Sequence, residues 1–203
     1  MYKIVGNPQT RAMRVMWLLE ELGEPYDIDP AMPQSEGIRE VNPAGKVPVL
    51  IDGDLILPES IAICQYLADK HGKFTFPAGT KERAIQDSFT QLAVDILEGA
   101  LWTAAKNSFI HPKELRVPEI KPVCKAEFAE GLRILDARMG EGPYVMGETF
   151  TVPDVILGHC GAWAVTAKFD LPKEGRIYDY FKALRNRPGY KAMMAKVVAA
   201  AAA

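Results

Sequence analysis

The sequence predicts an α/β N-terminal domain followed by an all-α C-terminal domain. Three observations carry this. Short apolar strand segments flank one amphipathic helix between Tyr2 and Ile28. A two-strand pattern, Val49-Leu50-Ile51 and Leu55-Ile56-Leu57 around Gly53-Asp54, runs straight into a second helix. Beyond a stretch punctuated by Gly72, Pro77 and Gly79, every remaining periodic segment has helical spacing.

Each element has a local reason. Tyr2 to Val5 is a strand, and Gly6-Asn7-Pro8-Gln9 is a turn. Thr10 stands at an N-cap position. The helix after it places Ala12, Val15, Met16, Leu19 and Leu22 on one face and stops at Gly23 and Pro25. Tyr26 to Ile28 is a second strand, parallel to the first because a helix crosses between them. Pro30 to Val41 reads as polar and irregular, with one helical turn near Ile38. The hairpin follows, and a helix opens at Ser60. The order β-α-β-(α)-β-β-α is that of a thioredoxin-like domain, here residues 1–74, with a linker over 75–81.

The helical domain is expected over 82–203. Ile85, Phe89, Leu92, Ile96 and Ala100 keep one helical period to near Lys106. Pro112, Pro118 and Pro122 interrupt the next stretch, and Phe128, Leu132, Leu135 and Met139 define another helix. Thr151 and Asp154 have capping-box spacing, flanked by Phe150 and Val155 as a hydrophobic staple. That reading makes Asp154 a structural cap and not an acid catalyst. Ile177, Phe181 and Leu184 mark a further helix before Asn186-Arg187-Pro188-Gly189-Tyr190. The alanine run from Ala199 to Ala203 favours helix by propensity but has nothing to pack, so fraying is expected.

Composition limits the function classes. The 203 residues carry a formal net charge of −2, which gives no broad attraction to nucleic acid or anionic membrane. No apolar run approaches the roughly 20 residues that span a bilayer, and the first residues lack a signal-peptide pattern. The three cysteines, Cys64, Cys124 and Cys160, are odd in number and widely spaced, so a reducing cytoplasm is expected rather than a disulfide framework. His159-Cys160 is not a metal spacing, and His71 and His111 show no partner in the sequence. No metal is expected. Phosphate loops, nucleophile elbows and paired carboxylates are absent as motifs.

The chemistry concentrates in Asn42 to Ser60. The helix opening at Ser60 directs free N–H groups and a positive dipole end toward what precedes it, a place for a carboxylate. Glu59 beside it suits an ammonium group. An anion site next to a cation site matches the two ends of an amino acid.

This arrangement resembles the glutathione site of cytosolic glutathione transferases, and the resemblance covers nearly the whole chain. In that family a Val-Pro pair with a cis bond meets the cysteinyl part of glutathione and a Glu-Ser pair grips the γ-glutamyl end. Val47-Pro48 and Glu59-Ser60 match those positions, and Lys46 matches one that reaches the glycine carboxylate. The Thr151-x-x-Asp154 cap resembles the one that opens the family's central helix in its second domain. The resemblance implies glutathione as co-substrate and thiolate attack on a small hydrophobic electrophile. It also implies a detoxifying role and a homodimer.

A free thiol has a pKa of about 8.5, and lowering it by about two units takes roughly 2.7 kcal/mol. A hydrogen bond to a charged group supplies about 1.5–3 kcal/mol, so one well-placed donor suffices. The family's activator is a Tyr, Ser or Cys near the end of the first strand or the start of the first helix. Here Thr10 stands where bacterial relatives with a similar helix often carry Ser, and it is also placed simply to cap the helix. Alignment on Arg11 instead gives Asn7 the activating position, where it is equally a turn residue. Arg11 and Arg14 would add positive potential or form ordinary ion pairs. By analogy, Gln9, Trp102, Phe109 and Ile110 are the candidates for the electrophile site. Two other readings stand beside conjugation: a glutathione-dependent peroxidase or reductase, and a glutathione-binding or assembly protein without catalysis.

Overall fold

The computed structural model describes residues 1–202. The chain divides into two compact units. One is Met1–Pro77 together with the chain from Arg185 onward, and the other is Ala78–Leu184.

The first unit contains β1 (Tyr2–Val5), α1 (Ala12–Leu22), β2 (Tyr26–Asp29), α2 (Glu36–Val41), β3 (Val49–Asp52), β4 (Leu55–Pro58) and α3 (Ser60–His71). This is the expected order. The four strands form one sheet in the order β2-β1-β3-β4. β1 and β2 are parallel with Ile4 opposite Ile28, and β3 is antiparallel to both β1 and β4. Ile4, Leu50, Met16, Leu19, Ile63 and Leu67 are fully buried, which seats α1 and α3 on the sheet through the apolar positions seen in the sequence. His71 does have partners: its Nε2 lies 2.8 Å from the Tyr2 hydroxyl, and its Nδ1 lies 3.5 Å from Glu24.

Two boundaries differ from expectation. α1 begins at Ala12 with Arg11 at its N-cap and no side-chain cap there, because residues 8–11 form turns. Thr10 Oγ1 still accepts the Ala12 N–H at 3.3 Å, one residue ahead of the N-cap. The second difference concerns the domain division. The unit boundary after Pro77 falls inside the expected linker, but α9 (Pro188–Ala202) belongs with the first unit rather than the second. Its main partner is α1. Arg187 donates to Glu21 through Nε at 2.8 Å and Nη2 at 2.7 Å, and Tyr190 meets Trp17 edge-on at 5.0 Å. Lys196 pairs with Glu20 and lies 4.2 Å above the Tyr26 ring. The alanine run is therefore helical through Ala202, as the tail of a docked helix; Ala203 lies outside the described residues.

The second unit holds α4 (Lys81–Leu92), α5 (Gly99–Ala105), α6 (Lys121–Arg138), α7 (Val152–Thr166) and most of α8 (Arg176–Asn186). α4 and α5 make the long element expected from the sequence, with π-helical turns at Ala93–Glu98 and Lys106–Ile110. The proline-broken stretch carries short 3₁₀ turns at Lys113–Leu115 and Pro118–Ile120. The Asp154 carboxylate closes the capping box by accepting the Thr151 N–H at 2.8 Å. It also accepts the Val145 N–H at 3.0 Å and the Tyr180 hydroxyl at 3.0 Å. Burial pushes its carboxyl up to about 6 against those bonds. No helix among the described residues is long and apolar enough to cross a membrane.

Candidate active site

Sheet register assembles the site. Val5 pairs with Val49 and Val49 with Pro58, so the residues just beyond each pairing come to one end of the sheet. These are Gly6, Pro48 and Glu59. The Val47–Pro48 bond is cis. Gly6 has φ +151°, and a Cβ there would stand 2.9 Å from Val47 Cβ, so only glycine lets the β1 turn meet the cis pair.

Glu59 is exposed and left-handed, with φ +72° and ψ +107°. That conformation is uncommon for a residue with a side chain and typical of constrained positions. It turns the chain sharply from β4 into α3. Ser60 is the first residue of α3 and is buried. Its hydroxyl oxygen accepts from Arg14 Nη1 at 3.2 Å, and Arg14 is fully buried. A serine hydroxyl has one proton. With Arg14 occupying a lone pair, that proton is left to donate toward an anion at the helix N-terminus.

Arg14 is the site residue that sequence reasoning undervalued. The signal was present: an arginine inside the apolar run Ala12 to Leu19. A charge buried there needs a polar partner, and Ser60 provides one.

The turn after β1 holds both candidates for thiol activation. Asn7 Oδ1 accepts the Gln9 N–H at 2.8 Å, and its amide donates to Met32 Sδ at 3.4 Å. Thr10 Oγ1 donates to the Asn7 carbonyl at 2.7 Å. The Thr10 proton is thus engaged by backbone, whereas an amide carries two N–H groups and Met32 takes one. Lys46 is exposed, and its carbonyl is held by Asn42 Nδ2 at 2.9 Å. Gln9 is exposed in the first unit. In the second unit Trp102 is half-buried and edge-on to Trp163 at 6.4 Å, while Phe109 and Ile110 are exposed.

Known proteins point the same way. The family profile described as glutathione S-transferase, N-terminal domain, matches residues 10–75. Glutathione S-transferase F14 of Arabidopsis thaliana is 35% identical over 120 residues, which is 57% of this chain and 47% of that protein. The chain thus spans about half of that relative's length. The probable glutathione S-transferase GSTF2 of Oryza sativa subsp. japonica is 30% identical over 152 residues, 70% of each chain. The chain belongs to the glutathione transferase family.

Glutathione S-transferase is the enzyme class that this membership carries. Among solved structures, the glutathione transferase URE2P6 from Phanerochaete chrysosporium, in complex with oxidized glutathione, is 25% identical with a TM-score of 0.82. The match covers 98% of this chain and 97% of that one. These plant and fungal proteins support the family as a whole and do not single out a bacterial branch. In this glutathione transferase no cysteine lies in the turn after β1. Cys64 is fully buried in α3, and burial pushes its thiol up to about 12 although Arg14 opposes the shift. Among the described residues no cluster of His, Cys, Asp or Glu suits a metal ion.

Proposed function

We propose that this transferase binds glutathione at this end of the sheet and stabilises its thiolate for attack on a small hydrophobic electrophile. The observation that carries this is the register that brings the cis Val47–Pro48 pair beside Glu59 and Ser60. Val47 and Pro48 dock the cysteinyl backbone. Ser60 and the α3 N-terminus take the γ-glutamyl carboxylate, with the buried Arg14 guanidinium adding charge, and Glu59 takes the ammonium group. Lys46 reaches the glycine carboxylate. The thiolate sulfur forms a bond to carbon, and the displaced electron pair leaves with the leaving group or is protonated.

Thr10 and Asn7 are the candidate thiolate donors. Thr10 must give up its 2.7 Å bond to the Asn7 carbonyl to act, whereas Asn7 has a second N–H to offer. Gln9, Trp102, Phe109 and Ile110 are proposed to contribute to the electrophile site. A cytoplasmic homodimer with a detoxifying role completes the reading, on family grounds. One observation favours binding without catalysis, namely the engagement of the Thr10 proton.

The deciding experiment is the pKa of bound glutathione's thiol, followed by thiolate absorbance against pH. A bound value about two units below the free thiol supports an activated nucleophile. Loss of that shift in Asn7→Ala or in Thr10→Ala identifies the donor. Binding with no shift in the unaltered protein selects the non-catalytic reading.

A further inference from the structure

The segment after β2 read as irregular in the sequence, yet it ties together two sides of the candidate site. At one end, Asn7 N–H donates to the Ala31 carbonyl at 2.9 Å and the Asn7 amide reaches Met32. At the other end, Gln34 grips the loop that carries Lys46. Gln34 N–H donates to the Gly45 carbonyl at 2.8 Å, and Gln34 Nε2 donates to the Ala44 and Gly45 carbonyls at 3.2 Å each. Arg39 Nη2 donates to Gln34 Oε1, which fixes the amide so that its NH₂ faces the two carbonyls. Gln34 is exposed but left-handed at φ +69°, a conformation a free glutamine avoids. The fit is close from the other side too. Gly45 has φ +64°, and a Cβ on it would stand 2.7 Å from Gln34 Oε1.

We infer that Gln34 is a positioning residue for glutathione: it clamps the Ala44-Gly45 turn and thereby sets Lys46 and Val47 against the Asn7 turn. This rests on the proposed glutathione reading. The side chain bonds the Ala44 and Gly45 carbonyls and Arg39, groups that carry no thiol chemistry, so its effect belongs in glutathione affinity and not in the chemical step. Glutamate in its place keeps the volume and the Arg39 partner but turns two donations into repulsion between a carboxylate and two carbonyls. Alanine removes the side-chain half of the clamp and keeps the backbone bond to Gly45.

The test is calorimetric titration of glutathione into the whole protein and its Gln34→Glu and Gln34→Ala variants. Alongside it run steady-state kinetics and hydrogen exchange over residues 42–47. Gln34→Glu is expected to weaken glutathione binding about tenfold and Gln34→Ala about fivefold. The KM for glutathione rises in step, with kcat at saturating glutathione within about twofold. Exchange over 42–47 speeds up in both variants, and the melting temperature moves by less than about 3 °C. A cycle with Gly45→Ala is expected to be non-additive, since the added methyl meets less in the Gln34→Ala background. Unchanged affinity in Gln34→Glu, or a fall in kcat with KM unmoved, overturns the inference while the function stands. Failure of the unaltered protein to bind glutathione overturns the function reading, and the inference falls with it.

Discussion

At the scale of single residues, one buried cation organises the candidate anion site. Arg14 has no exposed surface and donates to Ser60 at the start of α3. Replacing it with methionine preserves bulk and removes both charge and donor. The expected outcome in steady-state kinetics is a KM for glutathione raised about tenfold or more, with lysine recovering part of the loss because a point charge replaces a fork. Ser60→Ala should raise the same KM and leave that for the electrophile unchanged. At Cys64 the opposite character is expected. A thiol pushed up to about 12 by burial stays unlabelled by alkylating reagents in the native protein and reacts once the chain is denatured. Mass spectrometry of the α3 peptide checks this.

How much of the site was legible follows from how each residue acts. Val47, Pro48, Glu59 and Ser60 stand out because a Val-Pro pair and a Glu-Ser pair flank a hairpin, a local pattern. Gln34 and Asn42 act on neighbours through hydrogen bonds to backbone carbonyls, which leave no pattern in side-chain type. Thr10 shows the same limit. Its oxygen does accept from Ala12, but its proton goes to the Asn7 carbonyl, a detail set by a turn that sequence spacing does not specify.

At the scale of elements, the capped α7 carries the clearest pH signature. The Asp154 carboxyl, ordinarily near 3.8, is raised to about 6 by burial. A folded value above the unfolded one means its contribution is fully present below about pH 4 and is lost as pH rises through about 6. Against Asp154→Asn, the wild type should therefore lose relative stability between those limits and hold a constant difference above pH 7; thermal unfolding across pH measures it. Asp154→Ala removes the acceptor for Val145, Thr151 and Tyr180 together. Orphaned buried donors cost about 1–3 kcal/mol each, so a loss of roughly 3 kcal/mol or more is expected. The same cap was visible as Thr151-x-x-Asp154, while Tyr180 as its third anchoring residue was not, because that bond reaches from α7 to a residue of α8 outside the capping pattern.

At the scale of the whole molecule, the division of the chain departs most from the sequence reading. The α9 helix was missed because Pro188-Gly189 reads as a break, although proline suits the first position of a helix. Its docking on α1 runs through the Arg187–Glu21 fork, whose carboxylate also accepts from Trp17. Arg187→Ala should cost about 2–3 kcal/mol, less than the 3–5 of a fully buried pair because Arg187 keeps some solvent. Chemical denaturation would register it, and the loss should appear in the unit that bears the candidate site.

That docking makes the first unit discontinuous along the chain. Trp17, Glu20 and Glu21 emerge from the ribosome early, but the helix that covers them is translated only after the entire second unit. A nascent chain therefore carries an unfinished α1 face through most of its synthesis, with the Trp17 indole not yet covered by Tyr190 and with Glu20 and Glu21 lacking their Lys196 and Arg187 partners, a surface for chaperones. Completion of the first unit is a late event in translation, and a chain stalled within the second unit would be marked as incomplete at its beginning.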